Sequence, residues 1–535
     1  MSQKKQVHPE LLLLDNTLNS QSMKISSLLE IELKWGATTV SDYDRFLKHA
    51  QTLGARTSSS KMVSIRDSFF TTSDAFLILA GAKCRLRRID RRWELTFKGT
   101  AVMKNGLAQR KEKTFHLPSF ASEPEALKYC RKKILPMILG RRKFVKIFGI
   151  KNDRLVTKLT LPDGTEAVAS YDQAELYKKS RRIPLQEMEL EFLKGRIATF
   201  KTFSRDVARW GGLKPSKKSK FSTAVKEFSL ERIAPKMPEY RVTKRDSSSS
   251  ALRKILAKYL TVLKSKEPGV CVGLDDEAVH QMRVSVRRLR TAVRACLLSH
   301  SSLEREAATK KILMELKWLG ETIGRLRDLE IRASLVSRHK LHLRNVPLQR
   351  AQRLETLLSK KIVMQHDHLL AALNSKRYQT LLKSLERLSR IPPKKGPALT
   401  VRKTARRFIK KAFKKLGEVA CDMNERETRD EDLHRLRMAL RRLRYSCEFF
   451  KPILPSGSKR FLKKTVQLQD LLGKHQDAAM SLRAFQTELN FRPLPAAFLR
   501  ATESEKRIAR KSFFKAWKKY LRKGLPSFKK SVAAL

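Results

Sequence analysis

From Leu29 the chain alternates: Leu29, Ile31, Leu33 and Trp35 are apolar, and Glu30, Glu32 and Lys34 fall between them. A period of two is the pattern of a β-strand, so this segment is predicted to carry an ionisable face and an apolar face. The alternation returns at Arg85-Leu86-Arg87, at Trp93 to Lys98 and at Glu187 to Phe192. One amphipathic strand commonly turns its polar face to water. Four together, two bearing acids and two bearing bases, imply a shared interior where carboxylates on some strands face cations on others. That arrangement is an antiparallel barrel with a charged lumen.

Past residue 212 the pattern changes. Pro215 to Lys220 and Ser247 to Ser250 read as a linker region over 213–250. Beyond it glycine and proline become sparse, and apolar residues recur at helical spacing: Met282, Val286, Leu289 and Val293, then Leu436, Leu440 and Leu443. Beside each stripe lies the same polar motif. His280 is followed by Arg283, Arg287 and Arg290, and His434 by Arg437, Arg441 and Arg444, offsets that fall on one helix face. The repeat extends further, since Gly324-Arg325-Leu326-Arg327-Asp328 follows the first motif and Gly473-Lys474-His475-Gln476-Asp477 the second at a similar interval. Ile391 to Pro397 cannot continue a helix and divides the halves, about 251–390 and 398–527.

The expected fold is therefore α+β and multidomain. An N-terminal extension (1–27) precedes an antiparallel β-barrel with flanking helices (28–212), and an all-α domain of two homologous helical bundles (251–527) follows the linker.

Composition narrows the partners. At 535 residues and 41% hydrophobic content the chain can bury two or three cores. Its six cysteines form no Cys-x-x-Cys pair, which argues against zinc sites and a disulfide framework and for a reducing, cytoplasmic setting. The run Leu11 to Leu14 is too short for a secretory core, and no stretch of about 18 apolar residues suggests a membrane span. The formal net charge of +64 is costly in self-repulsion unless a polyanion is bound. The arginine helices have few interleaved aromatics for base stacking, so nucleic acid is expected only as a non-specific polyanion.

Glu30-Ile31-Glu32-Leu33-Lys34 resembles the Glu-x-Glu-x-Lys signature of CYTH domains, the triphosphate tunnel metalloenzyme family. Phe69 to Asp74, Arg85-Leu86-Arg87, Thr96-Phe97-Lys98 and Glu187-Met188-Glu189 are similar to its later segments, in family order. The resemblance covers roughly 28–212. It implies that Glu30, Glu32, Glu187 and Glu189 hold divalent metal, Mg²⁺ or Mn²⁺, and that Lys34, Arg85, Arg87, Lys98 and Arg110 grip the phosphates. Glu30, Glu32, Lys34 and Glu112 are then the catalytic candidates. Lys151, Arg154 and Asp172 are further candidates for the lumen. Two positions depart from the family pattern, with Thr71 and Thr114 standing where carboxylates are usual.

The helical half resembles the CHAD domain, a module associated with inorganic polyphosphate. This implies two pseudo-twofold-related helical bundles with a basic groove formed by His280, Arg283, Arg287, Arg290 and Arg325 with His434, Arg437, Arg441, Arg444 and Lys474. Together the two resemblances imply a metal-dependent inorganic triphosphatase tethered to a polyphosphate-binding domain, cytoplasmic and able to associate with polyphosphate granules. Thr71 and Thr114 keep open a protein that binds polyphosphate without hydrolysis, and the net charge keeps open a nucleic-acid binder.

Overall fold

The structure is a computed structural model, and it describes residues 24–36, 38–79, 81–104, 107–140, 142–208, 216, 218–230, 240–274, 276–297, 303–340, 345–390, 400–420, 423–455, 457–487 and 496–533. Residues 1–22, parts of the expected linker and the break at 391–397 lie outside the described residues. The chain forms two compact units, one of 1–236 with 265–278 and the other of 237–264 with 279–535.

In the first unit ten strands form one sheet: β1 (Lys24–Gly36), β2 (Arg56–Thr57), β3 (Lys61–Thr72), β4 (Lys83–Ile89), β5 (Arg92–Lys98), β6 (Val102–Lys104), β7 (Leu107–Leu117), β8 (Phe144–Thr160), β9 (Glu166–Lys178) and β10 (Arg181–Lys194). Eight run in the order β1-β10-β9-β8-β3-β4-β5-β7, and pairing of β1 with β7 closes them into an antiparallel barrel. Closure removes both sheet edges and makes one face of every strand an interior.

Both faces of the alternating strands are buried, for different reasons. On β1 the apolar face, Ile31, Leu33 and Trp35, points outward into a core shared with Tyr43 and Phe46 of helix α1 (Val40–Thr52). Phe200, Phe203 and Val207 join that core from a second flanking helix (Ile197–Ala208). The ionisable face points into the lumen, where Glu30 and Glu32 are buried.

A third flanking helix, Lys220–Glu227, lies within the stretch read as linker. Ser219 caps it through a reciprocal capping box with Ser222. Ala224 and Phe228 pack with Phe69, Phe148, Ile150 and Leu176, so the segment is part of the barrel's core rather than a free connection.

The second unit is helical. Its motif-bearing helices, Asp276–Leu297 and Asp430–Phe449, are followed by the long helices Leu303–Lys340 and Ser458–Thr487. Met282, Val286, Leu289 and Val293 are fully buried, as are Leu436, Leu440 and Leu443. In the second half these leucines meet Phe461, Leu468, Leu472, Phe513 and Trp517. The apolar stripes of both motif helices thus face cores and leave their arginines on another side.

Candidate active site and anion-binding cluster

Strand register sets the barrel site. Glu30 on β1 is opposite Arg110 on β7, and Lys34 is opposite Glu189 on β10. Lys98 on β5 is opposite Glu112, Arg87 on β4 is opposite Asp67 on β3, and Arg154 on β8 is opposite Asp172 on β9. Opposite charges therefore meet as cross-strand neighbours, the geometry that favours ion pairs in a sheet.

The pairs knit into a network. Arg110 bridges Glu30 and Glu32, and Lys98 donates to Glu30 at 2.7 Å and approaches Glu112 at 2.8 Å. Arg87 forms a bidentate pair with Asp67, two bonds of 2.8 Å, while Arg85 stands 3.6 Å from the same carboxylate. Arg154 donates to both oxygens of Asp172 at 2.7 and 2.9 Å and to Glu189 at 2.9 Å.

Asp172, Glu187 and Glu189 form a compact acidic trio, with ligand oxygens within 4.8 Å of one another. Lys220 reaches into it from the third flanking helix, pairing with Glu187 and bonding Asp172 at 2.7 Å and Glu189 at 3.3 Å. Lys34 pairs with Glu189 and stands 3.2 Å from Glu32 and 3.8 Å from Glu187.

The electrostatics follow from burial and these partners. Burial raises the Glu30 carboxyl, but Arg110 and Lys98 outweigh it and hold the group well below the usual range. Burial likewise opposes Glu189, and Lys220, Lys34 and Arg154 carry it well below. At Glu187 burial wins over Lys220 and Lys34 and, with the charge of Glu189, holds the carboxyl up at about 7. Lys220 is raised to about 12 because Asp172, Glu187 and Glu189 outweigh its desolvation.

The lumen is lined by Glu30, Glu32, Lys34, Arg85, Arg87, Lys98, Arg110, Arg154 and Glu189, but the carboxylates divide differently from the expected metal set. Glu187 and Glu189 join Asp172, whereas Glu30 and Glu32 are held apart by the Arg110 guanidinium between them. Among the described residues the four glutamates do not form a single cluster. Arg154 and Asp172 are buried and Lys151 is exposed, as three residues' separation on one strand requires. Of the two departures, Thr114 hydrogen-bonds Glu112 at 3.0 Å and Thr96 at 3.1 Å, while the buried Thr71 hydroxyl has no partner among the described residues. Asp67, Lys83 and Lys220 were not anticipated. Asp67 and Lys83 sit in phase with Phe69 and Arg85 on their strands, a signal that was available; Lys220 has none.

In the second unit Arg283, Arg287, Arg437 and Arg441 lie within mutual electrostatic reach, two from each repeat. Burial first, then Arg287, Arg437 and Arg283, hold the Arg441 guanidinium down to about 9, although Tyr445 opposes them. Arg287 is lowered by burial and by Arg283, Arg437 and Arg288, again against Tyr445. The repeats match in detail. Arg283 bonds Asp328 at 2.8 Å, and the Arg283 and Arg437 guanidiniums rest over Gly324 and Gly473 respectively. Asp477 is raised by burial and by Asp328, against Arg437.

Arg287, Arg290, His434 and Arg441 line a cavity of about 780 Å³ with Arg294 and Arg442, which the motif did not include. The Nε atoms of Arg287 and Arg290 are buried without a hydrogen-bond partner among the described residues. Elsewhere the motif residues are committed or outlying. Arg444 bonds Glu448 at 2.6 Å and Gln469 at 3.2 Å, His280 is half-buried, and Arg325 and Lys474 are exposed. No described helix is long and apolar enough to cross a membrane.

Comparison with known proteins adds four findings. An uncharacterized protein of Mycobacterium tuberculosis is 30% identical over 215 residues, 38% of this chain and 39% of that one, so this chain spans about two fifths of that relative's length. The CHAD domain from the plant Ricinus communis is 24% identical, covering 56% of this chain and 97% of its own, with a TM-score of 0.41. A candidate adenylyl cyclase from Hippeastrum that has a dominant triphosphatase activity is 17% identical, covering 37% of this chain and 96% of its own, with a TM-score of 0.27. Residues 254–486, which carry the duplicated arginine motif, match the family model of the CHAD domain, and this region of the chain is a CHAD domain.

Proposed function

We propose that the barrel hydrolyses inorganic triphosphate with the help of Mg²⁺ or Mn²⁺, and that the CHAD domain binds inorganic polyphosphate. The observation that carries the first part is the enclosed lumen, in which an acidic trio faces a wall of buried cations. A compact set of carboxylate oxygens suits a hard divalent ion, and the fit is tested by what now balances it. The trio draws in two ammonium groups, Lys220 and Lys34, and still leaves Glu187 held up at about 7, so the site accommodates further positive charge. Asp172, Glu187 and Glu189 would hold the ion. When bound, it supplies neutralisation of charge developing on the phosphoryl oxygens.

The chain's own residues do the rest. Lys34, Arg85, Arg87, Lys98, Arg110 and Arg154 grip the phosphate chain and fix its line relative to an attacking water. Arg110 must exchange part of its bonding to Glu30 and Glu32 for phosphate oxygens. The carboxylates it releases, held deprotonated at Glu30 by the surrounding cations, can then orient the water. Glu112, tied to Thr114, keeps Lys98 directed into the lumen.

The CHAD part is carried by the arginine cluster. Four guanidiniums crowded together, with buried Nε groups left unbonded nearby, are costly without an anion and well matched to a polyanion's oxygens. A phosphate-release assay on purified protein tests the whole. Release from tripolyphosphate with Mg²⁺ or Mn²⁺, abolished by chelator, is expected. One observation favours a second reading, a polyphosphate binder without turnover: the ammonium groups of Lys220 and Lys34 already pair with the trio. Polyphosphate binding with no release under any divalent ion would establish that reading instead.

A further inference from the structure

Lys83 differs from the other lumen cations. Lys34, Lys98, Arg87, Arg110, Arg154 and Lys220 each pair with a carboxylate. Lys83 lies on β4 two residues before Arg85, lines the same cavity, and makes no ion pair among the described residues. Its Nζ instead donates to Oγ of Ser219 at 3.1 Å and stands 5.0 Å from the centre of the Phe221 ring. Both partners belong to the start of the third flanking helix, so Lys83 fastens β4 to the segment that delivers Lys220 to the acidic trio.

The groups facing Lys83 are mostly of its own sign. Arg110 looks toward it from β7, Lys34 from β1 and Lys98 from β5, and Glu32 on β1 is the acid that answers them. Desolvation, followed by those three cations, holds its ammonium down to about 7. An amine with a hydroxyl and an aromatic ring for neighbours has bonding capacity to spare, since an ammonium offers three donors. Charge-assisted bonds to phosphate oxygen are stronger than the neutral contact it now makes.

We propose that Lys83 is a further phosphate-binding residue of the barrel, one that gives up Ser219 for the oxygens of the bound anion and takes up a solvent proton as it does so. The proposal rests on the triphosphatase reading for the identity of the anion, but not on turnover. Binding a polyanion beside Lys83 supplies the negative charge that its surroundings lack and stabilises the ammonium. Above neutral pH, binding then carries a proton with it and weakens as the proton becomes scarce. Release of Ser219 also unfastens β4 from the helix that carries Lys220, which couples anion binding to the acidic trio.

The test is a titration of the full chain with inorganic tripolyphosphate in EDTA at pH 6.5 and 8.5, using wild type, Lys83→Arg and Lys83→Met. The guanidinium stays charged throughout, so K83R reports every other source of pH dependence, including ionisation of the ligand. Wild-type affinity is expected to fall on the order of tenfold more than that of K83R across this range. K83M is expected to bind roughly tenfold more weakly than wild type at pH 6.5 and to share the shallow slope of K83R. A merely structural role would shift melting temperature and affinity without separating the two slopes. Equal slopes for wild type and K83R, wild-type affinity in K83M at pH 6.5, or no binding by wild type overturns the proposal. Phosphate release is measured in parallel: hydrolysis with equal slopes removes Lys83 alone, whereas separated slopes without hydrolysis remove the triphosphatase reading and leave Lys83 standing.

Discussion

Asp67 shows how a single lumen residue ties the stability of the barrel to the placement of its neighbouring cations. Its carboxylate takes both bonds from Arg87 and lies near Arg85, so it keeps two lumen arginines in place while compensating their charge. Removing one member of such a buried pair strands the other, and Asp67→Asn is expected to destabilise the barrel by about 3–5 kcal/mol in denaturant unfolding. Burial pushes the Asp67 carboxyl up, but Arg87 and Arg85 outweigh it and bring it to about 2, below its ordinary value of 3.8. With the folded value depressed, the stabilisation is fully present above pH 3.8 and is lost as pH falls through about 2. The gap between wild type and D67N should thus be constant from pH 5 to 7 and shrink in acid. The arginine cluster predicts the opposite sign. Arg287 and Arg441 are buried among like charges, so Arg287→Met with Arg441→Met relieves repulsion and desolvation. That double variant should unfold at least about 1 kcal/mol later than wild type and bind polyphosphate more than about tenfold more weakly. A loss of stability with retained binding would show these arginines to be packing residues.

The third flanking helix, Lys220–Glu227, separates what the sequence could reveal from what it could not. Strand faces were legible because alternation encodes them directly: Glu30, Glu32 and Lys34 could only share a side, and closure into a barrel makes that side the lumen. Arg154 and Asp172 were harder, since the lumen positions of β9 before Asp172 are Val168 and Ser170 and show no ionisable alternation. Lys220 was hidden altogether. It stands among Lys217 and Lys218 in a segment without periodicity, and its position depends on Ala224 and Phe228 finding a core supplied by distant strands. In the helical half the spacing of the motif brought Arg283, Arg287, Arg437 and Arg441 together. An offset of ten, however, lies about 80° round the helix from the histidine, far enough for Arg444 to turn to Glu448. The helix also sets up a competition, because the Lys220 ammonium compensates the same oxygens that would ligate a divalent ion. Lys220→Met should lower stability in EDTA and tighten Mn²⁺ binding on the order of tenfold. That gain reads as about 1.4 kcal/mol more stabilisation by saturating Mn²⁺ than wild type shows, and an equal Mn²⁺ effect in both would place the ion elsewhere.

At the scale of the whole molecule, a net charge of +64 is spread far beyond any one site, and its parts do different work. Lysines such as Lys410, Lys411 and Lys414, exposed and outside the arginine-lined cavity, should raise the local concentration of polyanions and speed encounter without choosing among them. The lumen cations are mostly paired with carboxylates and add little to the long-range field. The CHAD arginines stand between these extremes, clustered and only partly paired, and should hold on to what the lysines attract. Salt dependence can separate the contributions, because each cation that neutralises a phosphate of a flexible polyanion releases a counterion. By analogy with single-stranded nucleic acid, each such contact adds about 0.7 to the slope of log affinity against log salt. Replacing Arg283, Arg287, Arg437 and Arg441 by glutamine should therefore reduce the magnitude of the polyphosphate slope by about 3 and leave the lysine contribution in place. The same quadruple variant should keep tripolyphosphate hydrolysis within about twofold of wild type, since the barrel draws on none of these residues. Fluorescence titration with labelled polyphosphate over a range of KCl concentrations, alongside phosphate release, reads both quantities on one preparation. An unchanged slope would assign binding to the diffuse lysines, and lost hydrolysis would show that the CHAD domain supplies substrate to the barrel.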